Sequence, residues 1–353
     1  MITTILIILL AALVLYVVLG GADFGAGIWE FNTQFKSSEL ERNMIYHAIG
    51  PVWETNHVWL IFVMVLLFGA FPPAFAAINQ AIFVPLLLAL VGIVFRGAAY
   101  AFRSQAKSDT AKSQAWVFVF AFASVLAPLF LGAGVGAIAS HKLSFDAAGA
   151  FNGSYLYGWV NSLSIFCGFF TVGLCAYASA TYMIRESNLL LCELEKKHES
   201  NLTPSEDSEV QSVQLIEMRW RKRALFVGSL MGVLAICGLA LVFSEYKELW
   251  NGLMVRGWPA ILVSMTSGLL SLWAIYKHRT NLATVGVSIT CASVVIGWGL
   301  AQYPYIVPPA WTASDAASPD AALKAILWAT AIGSTLLVPA LILLFKIFKS
   351  GTE

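Results

Sequence analysis

An all-α integral membrane protein of about nine transmembrane helices, arranged as two four-helix bundles plus one additional helix, is the fold that this sequence predicts. Three observations predict it. The 353 residues are 59% hydrophobic and only 12% charged, against roughly 25% charged in soluble domains, so too little polar surface exists to cover a water-soluble globule. Nine windows reach or approach the roughly 20 apolar residues that cross a hydrocarbon core: 2–28, 52–76, 81–102, 115–139, 159–184, 224–243, 258–276, 283–303 and 323–345. The loops between them alternate in charge. Those after odd-numbered windows hold 16 Lys and Arg, while the opposite loops hold only 4, namely Lys142, Lys247, Arg256 and Lys324. By the positive-inside rule this puts the N-terminus outside and the C-terminus in the cytoplasm. No segment shows the alternating pattern of a membrane barrel, so the spans are helices. A net charge of +1 gives no basic excess for nucleic acid.

The first window lacks the basic n-region and small-residue cleavage site of a signal peptide and is too long for one, so it is expected to remain as a helix. Its Gly20-Gly21-Ala22-Asp23-Phe24-Gly25-Ala26-Gly27 run sets Gly21 and Gly25 on a small-xxx-small face that a neighbouring backbone can approach. Asp23 therefore faces protein. It is either an acid satisfied by a donor on a neighbouring helix or a proton carrier. The second window opens with Gly50-Pro51-Val52-Trp53-Glu54-Thr55-Asn56-His57-Val58-Trp59. Pro51 suits a first turn, and Glu54 and His57 share one helix face. Glu54 either complements the helix dipole or forms an acid–base pair with His57. His57 is a poor haem ligand, because it is the only histidine well inside any window.

In the third window Arg96 and Arg103 lie two turns apart on the same face. Arg103 can snorkel outward, whereas Arg96 is deeper and needs a carboxylate. Asp23, Glu54 and Arg96, from three helices, converge in the cytoplasmic half, which argues for one polar site, an ion pair or a hydrated acidic path opening inward. The fourth and fifth windows rest on hydropathy alone. Trp159, Trp250, Trp258 and Trp311 fall near outer ends, as interfacial anchors do. The stretch 185–223 mixes acid and base with Asn, Ser, Thr and Pro and reads as a partly disordered cytoplasmic linker between helices one to five (1–184) and six to nine (224–353). The halves show no strong sequence repeat, though a repeated four-helix plan suits the count. The eighth window ends in Gly297–Pro309, whose prolines stop helix and whose rings suit the interface. The five cysteines form no CxxC pair and read as reduced packing residues.

Together these motifs resemble subunit II of cytochrome bd-type and related cyanide-insensitive quinol oxidases. The likeness is carried by Asp23–Gly27, by Pro51–Leu60, by Phe95-Arg96-Gly97 to Phe102-Arg103, by Ala180-Thr181-Tyr182, and by Ala301–Tyr305 with Pro308-Pro309. The resemblance implies a pseudo-symmetric partner, subunit I, that carries haem b and haem d (or b alone) and the quinol site. That partner oxidises quinol near the outer face of the prokaryotic inner membrane and reduces dioxygen to water with cytoplasmic protons. It implies that the present chain binds no haem directly, supports subunit I and helps bring in protons. On that reading Asp23 and Glu54 belong to the proton path, with Trp53, Asn56, His57, Arg96 and Arg103 as the supporting polar site. A quinone in this subunit and small single-helix accessory subunits are open under the resemblance.

Three departures stand out. Many relatives have Asp-Gly-Phe-Asp where this chain has Gly20-Gly21-Ala22-Asp23, many place an acid where it has Ala101, and its 185–223 stretch is longer than usual. A proton path here has fewer carriers and is either vestigial or water-filled. Two other classes compete: a secondary transporter binding substrate or coupling protons at Asp23, Glu54, His57 and Arg96, and a haem-bearing electron-transfer cytochrome, which calls for more than one histidine inside the membrane.

Overall fold

In hydrocarbon every backbone N–H and C=O must find its partner within its own segment, and the chain meets this with helices. The computed structural model describes residues 1–33, 40–41, 44–45, 53–105, 110–197 and 204–350. The elements are α1 (Ile2–Thr33), α2 (Trp53–Ala70), α3 (Pro72–Ala81), α4 (Phe83–Gln105), α5 (Thr110–Ala139), α6 (Ser162–Lys197), α7 (Pro204–Glu245), α8 (Lys247–Gly252), α9 (Trp258–Tyr276), α10 (Thr280–Gln302) and α11 (Asp320–Ser350). One antiparallel pair, β1 (Tyr305–Val307) and β2 (Trp311–Thr312), lies between α10 and α11. Among the described residues eight helices are long and apolar enough to cross a membrane, and the second expected span corresponds to the shorter apolar stretch Asn56–Ala70.

Packing divides these helices as the count suggests. Helices α1, α2, α4 and α5 make one bundle, α6, α7, α9 and α10 the other, and α11 packs on α2. The bundles join where α1 lies against α6 and α10 and where α5 lies against α6. Lipid gives apolar side chains no reason to leave it, so helices associate through close backbone approach and polar contacts. Two glycines of α1 provide that approach. A methyl group on Gly25 would sit 1.9 Å from the Cys175 carbonyl oxygen of α6, and one on Gly27 would sit 2.1 Å from Ser124 Oγ of α5. At Gly21, the other half of the expected small-residue face, the nearest neighbour atom is Cys175 Sγ at 3.9 Å, so the tight contact is Gly25 with Gly27.

The second span does not run unbroken to residue 76. It stops at Phe71, which is fully buried, because Pro72 and Pro73 have no N–H to continue the ladder and instead open α3. The stretch 185–223 also differs from a loop, since it is helix on both sides of 198–203. At 36 and 42 residues, α6 and α7 reach about 54 and 63 Å, well beyond a hydrocarbon core of about 30 Å. Val213, Ile216, Trp220 and Ala224, at helical spacing, bury one stripe of α7, while Glu217 and Arg221 pair one turn apart. At the opposite end Arg256, in a single π-helical turn (Leu253–Gly257), donates to the Leu300 and Ala301 carbonyls at 3.0 and 3.2 Å, closing the C-terminus of α10.

Candidate functional site

A charged group inside a membrane costs several kcal/mol unless it is paired, and Arg96 makes four hydrogen bonds from its five N–H donors. Its Nη1 donates to Asp23 Oδ2 at 2.8 Å, and its Nη2 donates to Asp23 Oδ1 at 2.7 Å and to the Asp23 carbonyl at 3.0 Å. Nε donates to Ser124 Oγ at 3.0 Å, and that hydroxyl donates onward to the Phe120 carbonyl at 2.7 Å. The guanidinium lies between two rings, 5.1 Å from the centroid of Phe24 and 4.9 Å from that of Phe120. Arg96 is 1% exposed and Asp23 8%. The two-pronged arrangement is the one that planar guanidinium and carboxylate groups favour. It ties α1, α4 and α5 together at one point, and the close approach at Gly27 is what brings Ser124 within reach.

The remaining site residues flank this pair. Asn56 of α2 donates from Nδ2 to the Leu19 carbonyl of α1 at 3.4 Å. His57, half-buried, stacks its ring edge near Phe24 at 5.7 Å and Tyr16 at 6.1 Å between centroids. Glu54 and Trp53 lie in the first turn of α2 and Arg103 in the last turn of α4, with their side chains outside the described residues. Asp23 and Arg96 are thus joined directly, Asn56 and His57 lie beside them on α2, and Glu54 precedes these by less than one turn.

A second buried charge cluster escaped the sequence reading. The Glu41 side chain is 0% exposed and accepts from Arg223 Nη1 at 2.6 Å, with Arg219 Nη1 at 3.2 Å on its other oxygen. Arg223 in turn covers the rings of Trp220 (4.5 Å) and Trp29 (5.5 Å), which meet edge to face at 5.6 Å. Trp29 Nε1 donates to the Ala176 carbonyl at 2.8 Å, and Arg221 donates to the Ile275 carbonyl at 2.6 Å, capping α9. The signal was present in the spacing: Arg219 and Arg223, one turn apart, can offer two guanidinium groups to one acid.

At the other end of the bundles a cleft of about 310 Å³ opens between Ser140–Lys142 and Ser244–Leu249. There burial holds the His141 imidazole below its ordinary value of 6.5, with Glu248 acting in opposition. Among the described residues no three His, Cys, Asp or Glu side chains come close enough to hold a metal ion. The thiols of Cys167, Cys175, Cys192, Cys237 and Cys291 are all free.

A helical bundle of this size with interior ion pairs, wide lipid-facing apolar surfaces and long polar helix extensions defines a multi-pass membrane subunit. Comparisons with known proteins make the class specific. A family model described as cytochrome bd terminal oxidase subunit II matches residues 1–201 and 209–348. The chain is 23% identical to the putative cytochrome bd menaquinol oxidase subunit II of Bacillus subtilis, over 95% of this chain and 91% of that one. It is also 23% identical to the cytochrome bd-I ubiquinol oxidase subunit 2 of Escherichia coli K12, over 93% and 88%. A segment of 116 residues is 36% identical to the cytochrome bd ubiquinol oxidase subunit 2 of B. subtilis, covering 32% of this chain and 33% of that protein. In fold the chain is similar to a chain of the bd oxidase of Geobacillus thermodenitrificans, with a TM-score of 0.70, 20% identity and 98% of both chains covered. The chain belongs to the cytochrome bd terminal oxidase subunit II family. It is therefore a subunit of a haem-containing quinol oxidase complex, working with a partner subunit in a bacterial membrane, and the transporter reading is set aside.

Proposed function

We propose that this chain is the haem-free half of its oxidase: it braces the haem-bearing subunit I and provides a polar entry for cytoplasmic protons used in reducing dioxygen to water. The buried Asp23–Arg96 pair, at the crossing of α1, α4 and α5 and beside the first turns of α2, carries this reading. The charge distribution supports an orientation with the N-terminus outside and with the C-terminus and the 185–223 stretch in the cytoplasm. That orientation puts Glu54, Asp23 and Arg96 in the inner half of the membrane.

The two acids have different roles in this scheme. Asp23 is committed to its two-pronged pair with Arg96 and serves as the anchor of this polar entry. Glu54, in the first turn of α2, takes up and passes on the proton. Trp53, Asn56, His57 and Arg103 shape that polar surrounding. The histidine inventory supports the haem-free part: His57, the lone histidine deep in a span, has its ring engaged between Tyr16 and Phe24.

The test is quinol-driven oxygen uptake by the purified complex. Glu54→Gln should slow turnover about tenfold or more, with haem absorption unchanged and the quinol KM little altered. Asp23→Asn should slow it less and also weaken assembly. Full turnover in both variants and in the double variant rejects the proton-path role.

A further inference from the structure

Tyr16 lies on α1 two turns before Asp23, and with Gly20 it completes a single helix face at positions i, i+4 and i+7. The residue is 6% exposed, yet its hydroxyl has no hydrogen-bond partner among the described residues. A buried hydroxyl left alone costs about 1–3 kcal/mol, so such a group generally holds water or a ligand. The surroundings allow water. A methyl group on Gly20 would touch only the Tyr16 ring, at 3.5 Å, and one on Gly21 would have Cys175 Sγ as its nearest neighbour at 3.9 Å.

Further polar side chains lie nearby on α2. Asn56 Nδ2 is fixed on the Leu19 carbonyl, which sets this side chain at a level between Tyr16 and Asp23, and its Oδ1 is buried with no partner among the described residues. His57 lies against the Tyr16 ring at 6.1 Å. From Tyr16 to Asp23 the helix rises about 10 Å, which is some three to four hydrogen-bonded steps of about 2.8 Å.

We propose that Tyr16 is a relay residue: with water held over Gly20 and Gly21, its hydroxyl carries protons along α1 from the Asp23 and Glu54 end toward the membrane interior. The inference rests on the proton-path reading above. The hydroxyl accepts a proton from a water on one side and releases its original proton to a water on the other, so the phenol ends neutral and nothing is oxidised or reduced. Asn56 Oδ1 orients one of these waters as an acceptor.

The experiment uses the intact purified complex, with oxygen uptake measured at saturating quinol in H2O and D2O. Tyr16→Phe removes the hydroxyl and keeps the ring. It should slow turnover about tenfold and raise the solvent isotope effect, with haem content and quinol KM unchanged. Gly20→Asp in the Tyr16→Phe background places a carboxylate in the same space and should restore much of the rate. Tyr16→Phe turnover within twofold of the parent, while Glu54→Gln is slow, overturns the relay and leaves the path reading standing. If Tyr16→Phe keeps its rate and so do Glu54→Gln, Asp23→Asn and their double variant, both readings fail. A slow Tyr16→Phe with an unchanged isotope effect and no recovery in the double variant marks a packing residue and also overturns the relay.

Discussion

Replacing Arg96 by Met keeps the unbranched stem of the side chain and removes its guanidinium, leaving Asp23 buried and alone. The variant loses two bonds to the carboxylate, one to the Asp23 carbonyl and one to Ser124. Breaking one side of a buried pair costs about 3–5 kcal/mol, because the surviving charge keeps its desolvation penalty without its attraction. At about 1.4 kcal/mol per decade this lowers the folded-to-unfolded ratio by two to three and a half orders of magnitude. Asp23→Leu with Arg96→Met removes both charges. Apolar replacement of a buried pair is often neutral or stabilising, so the double variant should recover most of the loss. The loss in the double variant should then fall short of the sum of the two single losses by at least about 2 kcal/mol, which is the coupling of the pair. The assay is denaturant unfolding of the purified complex, followed through helicity and haem absorption. Losses that simply add in the double variant, or an Arg96→Met loss below about 0.5 kcal/mol, would refute the view that this pair fastens α1 to α4.

Other perturbations test neighbouring parts of the structure. Gly25→Ala drives a methyl into the Cys175 carbonyl and should destabilise the complex by about 1–3 kcal/mol, whereas Gly21→Ala, with 3.9 Å to Cys175 Sγ, should be tolerated; melting temperatures separate the two. Arg223→Ala should destabilise more than Arg219→Ala, since Arg223 is 21% exposed and stacked on Trp220 while Arg219 is 41% exposed, and the latter loss should stay below about 1 kcal/mol. At His141 the imidazole is held neutral by burial, so its folded value lies below 6.5. The unfolded chain then binds the extra proton, and stability present above 6.5 is lost as pH falls through the folded value. His141→Gln should flatten that acid-side decline in a pH series of melting temperatures, and an unchanged slope would count against the burial argument.

The parts of the fold legible in the sequence are those that the bilayer imposes residue by residue. Hydropathy located the spans because a helix in lipid must be apolar along its whole length. Arg96 was legible for the complementary reason: a guanidinium at that depth demands a carboxylate, and Asp23 faced protein on a glycine-rich surface. The choice of Gly27 over Gly21 as the tight contact was not legible, since it depends on where Ser124 and Cys175 arrive from other helices. Nor was the break at Phe71, because hydropathy windows ignore the missing N–H of Pro72 and Pro73.

The helices within the hydrophilic stretch escaped the sequence reading for a more general reason. Outside lipid, helix formation is decided by one packed stripe, and a composition that mixes charged and polar residues throughout conceals Val213, Ile216, Trp220 and Ala224 at helical spacing. The same helix extension brings Arg219 and Arg223 to Glu41 and the Trp29–Trp220 edge. A cluster whose members lie 182 residues apart, counting Glu41 to Arg223, has no local signature, and only its acid-facing pair at i and i+4 could have pointed to it. The helices within 185–223 therefore have a structural consequence. The extended helices give the charged end of the protein a second buried ion-pair cluster, separate from Asp23 and Arg96, that fixes α7 to the segment following α1.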